Sequence, residues 1–218
     1  EEYLNEAISQ YSPDQAIACQ CDVTNSKSIE KAIQRASIEF GGLDIVVHSA
    51  GLAISKPLEE TTEANWNLLQ EVLVKGQFLL SRAAAKIMRK QNLGGNIINI
   101  VSKNGLVSGP NNVGYGTAKA SQIHMSRLLA AELATDQIRV NTVNPDGVII
   151  GSKIWKGDWA EGRAKAYGIS IKELPEFYAK RNIDNANFHQ GFVSNAQLVE
   201  NNKYTFDFHQ NSDSSIFT

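Results

Sequence analysis

The sequence is short of several things. It has two cysteines, five prolines and almost no charge imbalance, with 21 basic against 23 acidic side chains in 218 residues. Cys19 and Cys21 sit two apart in what reads as one strand, so they share a face. A disulfide between them would be strained, and two cysteines are too few for a zinc site. No metal is expected, and reduced thiols fit a cytoplasmic protein. A net charge of −2 offers nothing to nucleic acid or to an anionic membrane. No apolar run reaches the roughly eighteen residues of a membrane span. The opening stretch, Glu1 to Glu6, is acidic and unlike a signal peptide. What is present is 42% hydrophobic and 20% charged residues, a globular composition long enough for one sizeable core.

Helical and strand patterns alternate along the chain. Residues 2 to 10 are mostly helix formers, and Ser12-Pro13-Asp14 breaks them. Gln15 to Cys21 reads as a short strand ending in Asp22-Val23-Thr24. Ser26 or Ser28 can cap a helix running to about Phe40, with Ile29, Ala32, Ile33 and Ala36 inward. Gly41-Gly42 stops it. Leu43 to Val47 is a continuous apolar strand, as in a sheet covered on both faces. A long helical pattern fills residues 61 to 90. Two more strands, Asn96 to Val101 and Ile138 to Val143, flank a helix beginning near residue 113.

The chemistry concentrates between residues 102 and 119. Ser102 ends an apolar strand, Tyr115 follows thirteen residues later, and Lys119 is four residues beyond it. On a helix, Tyr115 and Lys119 share a face. A free phenol, with a pKa of about 10, is a poor base at neutral pH. A nearby ammonium favours the phenolate and brings it toward working pH. A serine hydroxyl can hold a substrate oxygen. The Tyr-x-x-x-Lys pair alone is weak, because any helix can carry it on a solvated face. The serine upstream makes the pattern specific.

Ser102, Tyr115 and Lys119 resemble the catalytic trio of the short-chain dehydrogenase/reductase family. That resemblance implies an α/β fold, a Rossmann-like doubly wound parallel sheet with helices on both faces. It implies an NAD cofactor, with NADP not distinguished, and a small-molecule aldehyde or alcohol substrate. Tyr115 would be the general acid/base. Lys119 would lower its pKa and hold the ribose, and Ser102 would bind the substrate oxygen. Asp22 and Val23 would meet the adenine ring, although a strand-end Asp is also an ordinary helix cap. Ser49, Ala50 and Gly51 would line the cofactor cleft, and Pro145, Asp146 and Val148 would lie beside the nicotinamide. The helix from Tyr115 to Leu133 would pair with its copy in a homo-oligomer.

Several positions depart from the family pattern. His48-Ser49 stands where two asparagines are usual, and His48 reads as a structural hydrogen-bonder. Leu73 stands where an asparagine holds a relay water, so the proton route must differ. Asp146 stands where glycine is common. With Ser102-Lys103-Asn104-Gly105, Asn144-Pro145-Asp146 and Leu73, the stretch from 151 to 181 resembles one branch. That branch is the dehydrogenase half of bifunctional rhamnulose-phosphate aldolase/lactaldehyde dehydrogenases. Trp155, Trp159 and Tyr178 would form a lid or touch substrate, and Arg163 or Lys153 would be solvated or bind an anion.

Two parts of the pattern are missing. No Gly-rich phosphate turn precedes residue 17, and residues 182 to 218 lack the family's ending. The organisation expected is therefore a partial dehydrogenase domain over 1–181, lacking its first βαβ unit and last strand. An atypical, poorly ordered tail follows over 182–218. Two readings follow: an oxidoreductase acting on a small hydroxy-aldehyde such as lactaldehyde, or an inactive truncated fold serving binding or assembly. Without two inner strands the strand at Leu43–Val47 becomes an open edge.

Overall fold

The computed structural model describes residues 2–12, 14–148, 155–184, 197–199 and 203–205. A short helix α1 (Glu2–Ile8) precedes α2 (Ser26–Phe40). Asn25 caps α2, accepting from the Lys27 and Ser28 amides, so neither Ser26 nor Ser28 is the cap. Gly41 closes α2 at φ 76°, a left-handed position that glycine occupies without strain.

Residues 15 to 21 do not form the expected strand. A strand needs a partner ladder, and no described strand lies beside this segment. It is held to α2 instead. Arg35 Nη1 donates to Ala18 O at 3.1 Å, and the Asp22 amide donates to Ser28 Oγ at 2.9 Å. Both cysteines are free thiols.

The sheet contains β1 (Ile45–His48), β2 (Gly95–Ile100) and β3 (Ile138–Val143), all parallel, in the order β1-β2-β3. Helix α4 (Gly76–Gln91) and helix α5 (Val113–Leu133) cross between them. Val46, Ile97, Ile138 and Val140 meet Ile29 and Ile33 of α2 and Leu79 and Met88 of α4 in the main core. Alternation in β1 is one-sided: Val46 and His48 are buried, whereas Ile45 and Val47 are 59% and 53% exposed. The apolar run therefore is not covered on both faces among the described residues, and β1 is the sheet's open edge, as expected.

The helical stretch from 61 to 90 is interrupted. Thr62 and Asn65 form a capping box at the start of α3 (Glu63–Leu69). Residues Gln70–Lys75 then make a π-helical turn before α4. A π turn frees a carbonyl from the regular ladder. Here Leu73 O accepts from Gln122 Nε2 of α5 at 2.9 Å.

Helices α6 (Asp158–Tyr167) and α7 (Leu174–Asp184) carry a second, smaller cluster of Trp155, Ala160, Leu174 and Tyr178. Beyond it, β4 (Gln197–Val199) and β5 (Lys203–Thr205) pair antiparallel. The expectation for the rest of 182–218 lies outside the described residues.

Candidate active site

Three elements deliver the expected trio to one cleft of about 580 Å³. Ser102 stands just past β2, Tyr115 in the first turn of α5, and Lys119 one turn later. The loop after Ser102 lies close against α5. A Cβ at Gly105 would sit 2.7 Å from Ile123 Cδ1 and 2.8 Å from Lys119 O, so only glycine permits that approach.

Ser102 and Lys119 are buried and Tyr115 is half-buried. The Ser102 hydroxyl stands near enough to the Tyr115 phenol to act on its pKa, and it accepts the Asn104 amide at 3.2 Å. Lys119 Nζ lies 5.6 Å from the centre of the Tyr115 ring and donates to Ile100 O at 3.4 Å. Burial pushes the Tyr115 pKa above its ordinary value, with the Ser102 hydrogen bond opposing it. This corrects the expectation of an ammonium-lowered phenol: desolvation outweighs the lowering by Ser102. Burial also lowers Lys119 to about 8. His48, with its ring sealed behind the sheet edge, is held down to about 4, first by burial and then by the Lys119 charge.

Ser49, Gly51, Pro145, Asp146 and Val148 line the same cleft; Ala50 lies between two of them without lining it. Asp22 and Val23 do not line it. The Asp22 carboxylate accepts the Thr24 amide at 2.9 Å and the Thr24 hydroxyl at 2.8 Å, which lowers its pKa. Val23 packs on α4, where a Cβ at Gly76 would come within 3.2 Å of Val23 Cγ2.

The departure at Asp146 has a partner. Asp146 pairs with Lys103, both largely buried, and the Lys103 amide donates to Pro145 O at 3.1 Å. The loops after β2 and β3 are thus tied twice. No local signal could have paired residues 43 apart. Two further lining residues, Lys156 and Trp159, come from the cap.

The cap resolves the expectations for residues 151 to 181. Trp155 and Tyr178 are buried with ring centres 5.2 Å apart, and Trp155 Nε1 donates to Val148 O at 2.8 Å. They pack, whereas Trp159 faces the cleft. Arg163 is not solvated: it is buried and donates to Pro110 O at 3.2 Å. Lys153 lies outside the described residues.

The residues present fit the nicotinamide end of a dinucleotide. An ammonium carries three donors, and Lys119 spends one on a long bond to Ile100, leaving capacity toward the cleft. Gly51 packs closely on Leu73, since a Cβ there would be 3.2 Å from Leu73 Cδ2. Ser49, Pro145 and Val148 would flank the ring, and Lys119 would hold the ribose.

The family model described as enoyl-(acyl carrier protein) reductase matches residues 1–162. An uncharacterized oxidoreductase, YuxG, of Bacillus subtilis is 45% identical over 171 residues, 78% of this chain and 25% of that protein. D-threitol dehydrogenase of Mycolicibacterium smegmatis is 31% identical over 187 residues, 85% of this chain and 72% of that protein. The crystal structure of sorbitol-6-phosphate 2-dehydrogenase from Erwinia amylovora superposes with a TM-score of 0.73 at 28% identity, covering 82% of this chain and 69% of that one. The chain thus spans a quarter of the length of the Bacillus relative and about seven-tenths of the other two. With a family model matching most of its length and the same parallel α/β sheet, the chain belongs to the short-chain dehydrogenase/reductase family, oxidoreductases that work with NAD or NADP.

Proposed function

We propose that this chain carries the catalytic core of an NAD(P)-dependent dehydrogenase acting on a small hydroxy-aldehyde or polyol, with lactaldehyde the first candidate. The observation that carries this reading is the convergence of Ser102, Tyr115 and Lys119 on one cleft, with Ser102 close enough to act on the Tyr115 phenol. Relatives named for D-threitol and sorbitol-6-phosphate support a small polyhydroxylated substrate. The lactaldehyde choice rests on the resemblance of Ser102–Gly105, Asp146 and the 151–181 stretch to one branch.

When bound, the nicotinamide supplies the hydride donor or acceptor. The chain's own residues do the rest. Ser102 holds the substrate oxygen against Tyr115. The phenol, raised by burial, is protonated at neutral pH and stands as the acid for a carbonyl oxygen. In the oxidising direction it takes the hydroxyl proton, which requires the phenolate; the Ser102 hydrogen bond favours that form. Lys119 places a positive charge behind the ring. The cap, through Trp159, closes the cleft against water.

Homo-oligomerisation through α5 and a cytoplasmic location belong to the same proposal. Val113 and Leu128 are exposed apolar residues on α5 and suit a partner surface. No helix among the described residues is long and apolar enough to cross a membrane.

A second reading, an inactive binding or assembly module, is favoured by the exposed edge at Ile45 and Val47. Titration with NADH, followed by nicotinamide fluorescence, separates the two. The dehydrogenase reading expects saturable binding, then lactaldehyde turnover that falls roughly 10²–10⁴-fold in Tyr115→Phe. Absence of binding up to millimolar NADH sinks it. Native mass adds a check: a discrete oligomer supports a folded unit, and a void-volume aggregate opposes one.

A further inference from the structure

Behind Lys119 lies a buried polar cluster that the trio does not use. His48 is 1% exposed, and neither ring nitrogen has a partner among the described residues. Its register partner on β2 is Asn99, also fully buried. Asn99 Nδ2 donates to Ser126 Oγ of α5 at 3.0 Å, and Gln77 Nε2 of α4 donates to the same oxygen at 3.0 Å. Gln122, one turn beyond Lys119, spends its amide on Leu73 O. Asn99 Oδ1, Gln77 Oε1 and Gln122 Oε1 are left without donors. Four uncharged residues therefore form one contiguous patch beside His48, rich in open acceptors.

Such a concentration needs an explanation. An unpaired buried polar group costs about 1–3 kcal/mol, and buried waters commonly make about three hydrogen bonds to such groups. Lys119 is 4% exposed and has spare donors; its charge acts on the His48 ring, and no direct bond joins them. A neutral imidazole offers one donor and one acceptor. Buried polar groups with no direct bond between them can be joined by a bridging water.

We propose that His48, together with Asn99 and Gln122, builds a buried hydration site whose water seats the ammonium of Lys119. His48 is thus a positioning residue for Lys119, not a contact of the substrate. The proposal rests on the reading of Lys119 as part of the reacting trio. The site offers what Leu73, with an apolar side chain and its carbonyl taken by Gln122, does not: an acceptor toward Lys119. Lys119 is the charged group acting on His48 among the described residues, and the other members of the cluster are uncharged. The low pKa of the ring keeps it neutral and able to accept across the neutral range.

The test is made on the full chain labelled with 15N-histidine. The four histidines are separated by assigning His48 through its loss in His48→Asn. The expected result is a neutral His48 ring whose unprotonated nitrogen shows the upfield shift of a hydrogen-bonded acceptor. A cross-peak to water and a shift in Lys119→Met should accompany it. A ring nitrogen with no water contact, unmoved by Lys119→Met, overturns the proposal, and this readout needs no turnover.

Kinetics then test the consequence. Losing the acceptor destabilises the Lys119 ammonium, so His48→Leu should move the alkaline limb of the kcat–pH profile to lower pH. It should lower kcat about tenfold, and His48→Asn, which can hold a water, should restore both. A drop in kcat without movement of the limb, or without rescue by Asn, marks a merely structural histidine and overturns the positioning role. If Tyr115→Phe retains full turnover, the trio reading fails separately, while the water contact at His48 is judged on its own spectrum.

Discussion

The Ser102–Tyr115–Lys119 corner and the aromatic cap face each other across one cleft, yet they are held together by opposite means. The corner is polar. An ion pair joins Lys103 to Asp146, a hydroxyl meets a phenol, and a lysine and a histidine are buried at a cost that shows in their lowered pKa values. The cap is a cluster of rings. Trp155 meets Trp159 and Tyr178 edge-on, and few polar tethers reach the sheet. The difference separates two jobs: groups that must change charge sit where the first turns of α5 meet the end of β2, and packing near them comes from a cluster of rings.

The comparison breaks most visibly at Trp155. Cutting it to alanine removes the ring that touches Trp159, Tyr178 and the close approach of Gly147. Large buried aromatics cost about 3–5 kcal/mol when truncated. The expected loss is local. Hydrogen exchange should show residues 155–178 opening while amides of α5 and β2 keep their protection, because the cap is a satellite of the main core. Loss of protection in both regions together would mean that cap and corner fold as one unit.

Acid sharpens the same contrast. His48 is held to about 4 in the folded chain against 6.5 unfolded. The unfolded chain binds the extra proton between those values, so stability falls as pH drops from about 6.5 to about 4. The difference corresponds to roughly 3 kcal/mol. Urea midpoints measured across that range in wild type and His48→Asn should diverge, with the variant lacking this contribution to the slope. Parallel profiles would place the ring in contact with solvent. Lys119 adds a second window at higher pH: held to about 8, it makes stability rise between about 8 and 10.5.

Much of the corner was legible because its signals are local. The 102/115/119 spacing needs only a strand end and one helical turn, and α5 and β3 begin where periodicity places them. What was illegible depends on distant parts of the chain. Residues 15–21 read as a strand by composition, yet a strand is defined by a neighbour. The π turn at Gln70–Lys75 carries a bond to Leu73 O from Gln122, 49 residues away. Arg163 looked solvated because charge is usually exposed; its burial follows from the Pro110 carbonyl and the Trp159 ring beside it. The raised pKa of Tyr115 was invisible for a similar reason, since spacing reveals a neighbouring ammonium and says nothing of burial.

The smallest expected effect tests how the corner is braced. Asp146→Asn keeps shape but removes the charge facing Lys103. A buried ion pair broken from one side costs about 3–5 kcal/mol, and an exposed one about 0–1. With side chains 11% and 19% exposed, this pair falls between, and about 1–2 kcal/mol of stability is expected to be lost. The backbone tie from Lys103 to Pro145 remains in the variant, so the loops should stay joined and Ser102 near its place. Activity should then fall less than stability suggests, with KM moving more than kcat, because Asp146 lines the cleft without touching Tyr115. A kcat loss as large as that of Tyr115→Phe would contradict this: it would put Asp146 among the groups that move the proton, and the ion pair would be part of the chemistry rather than its brace.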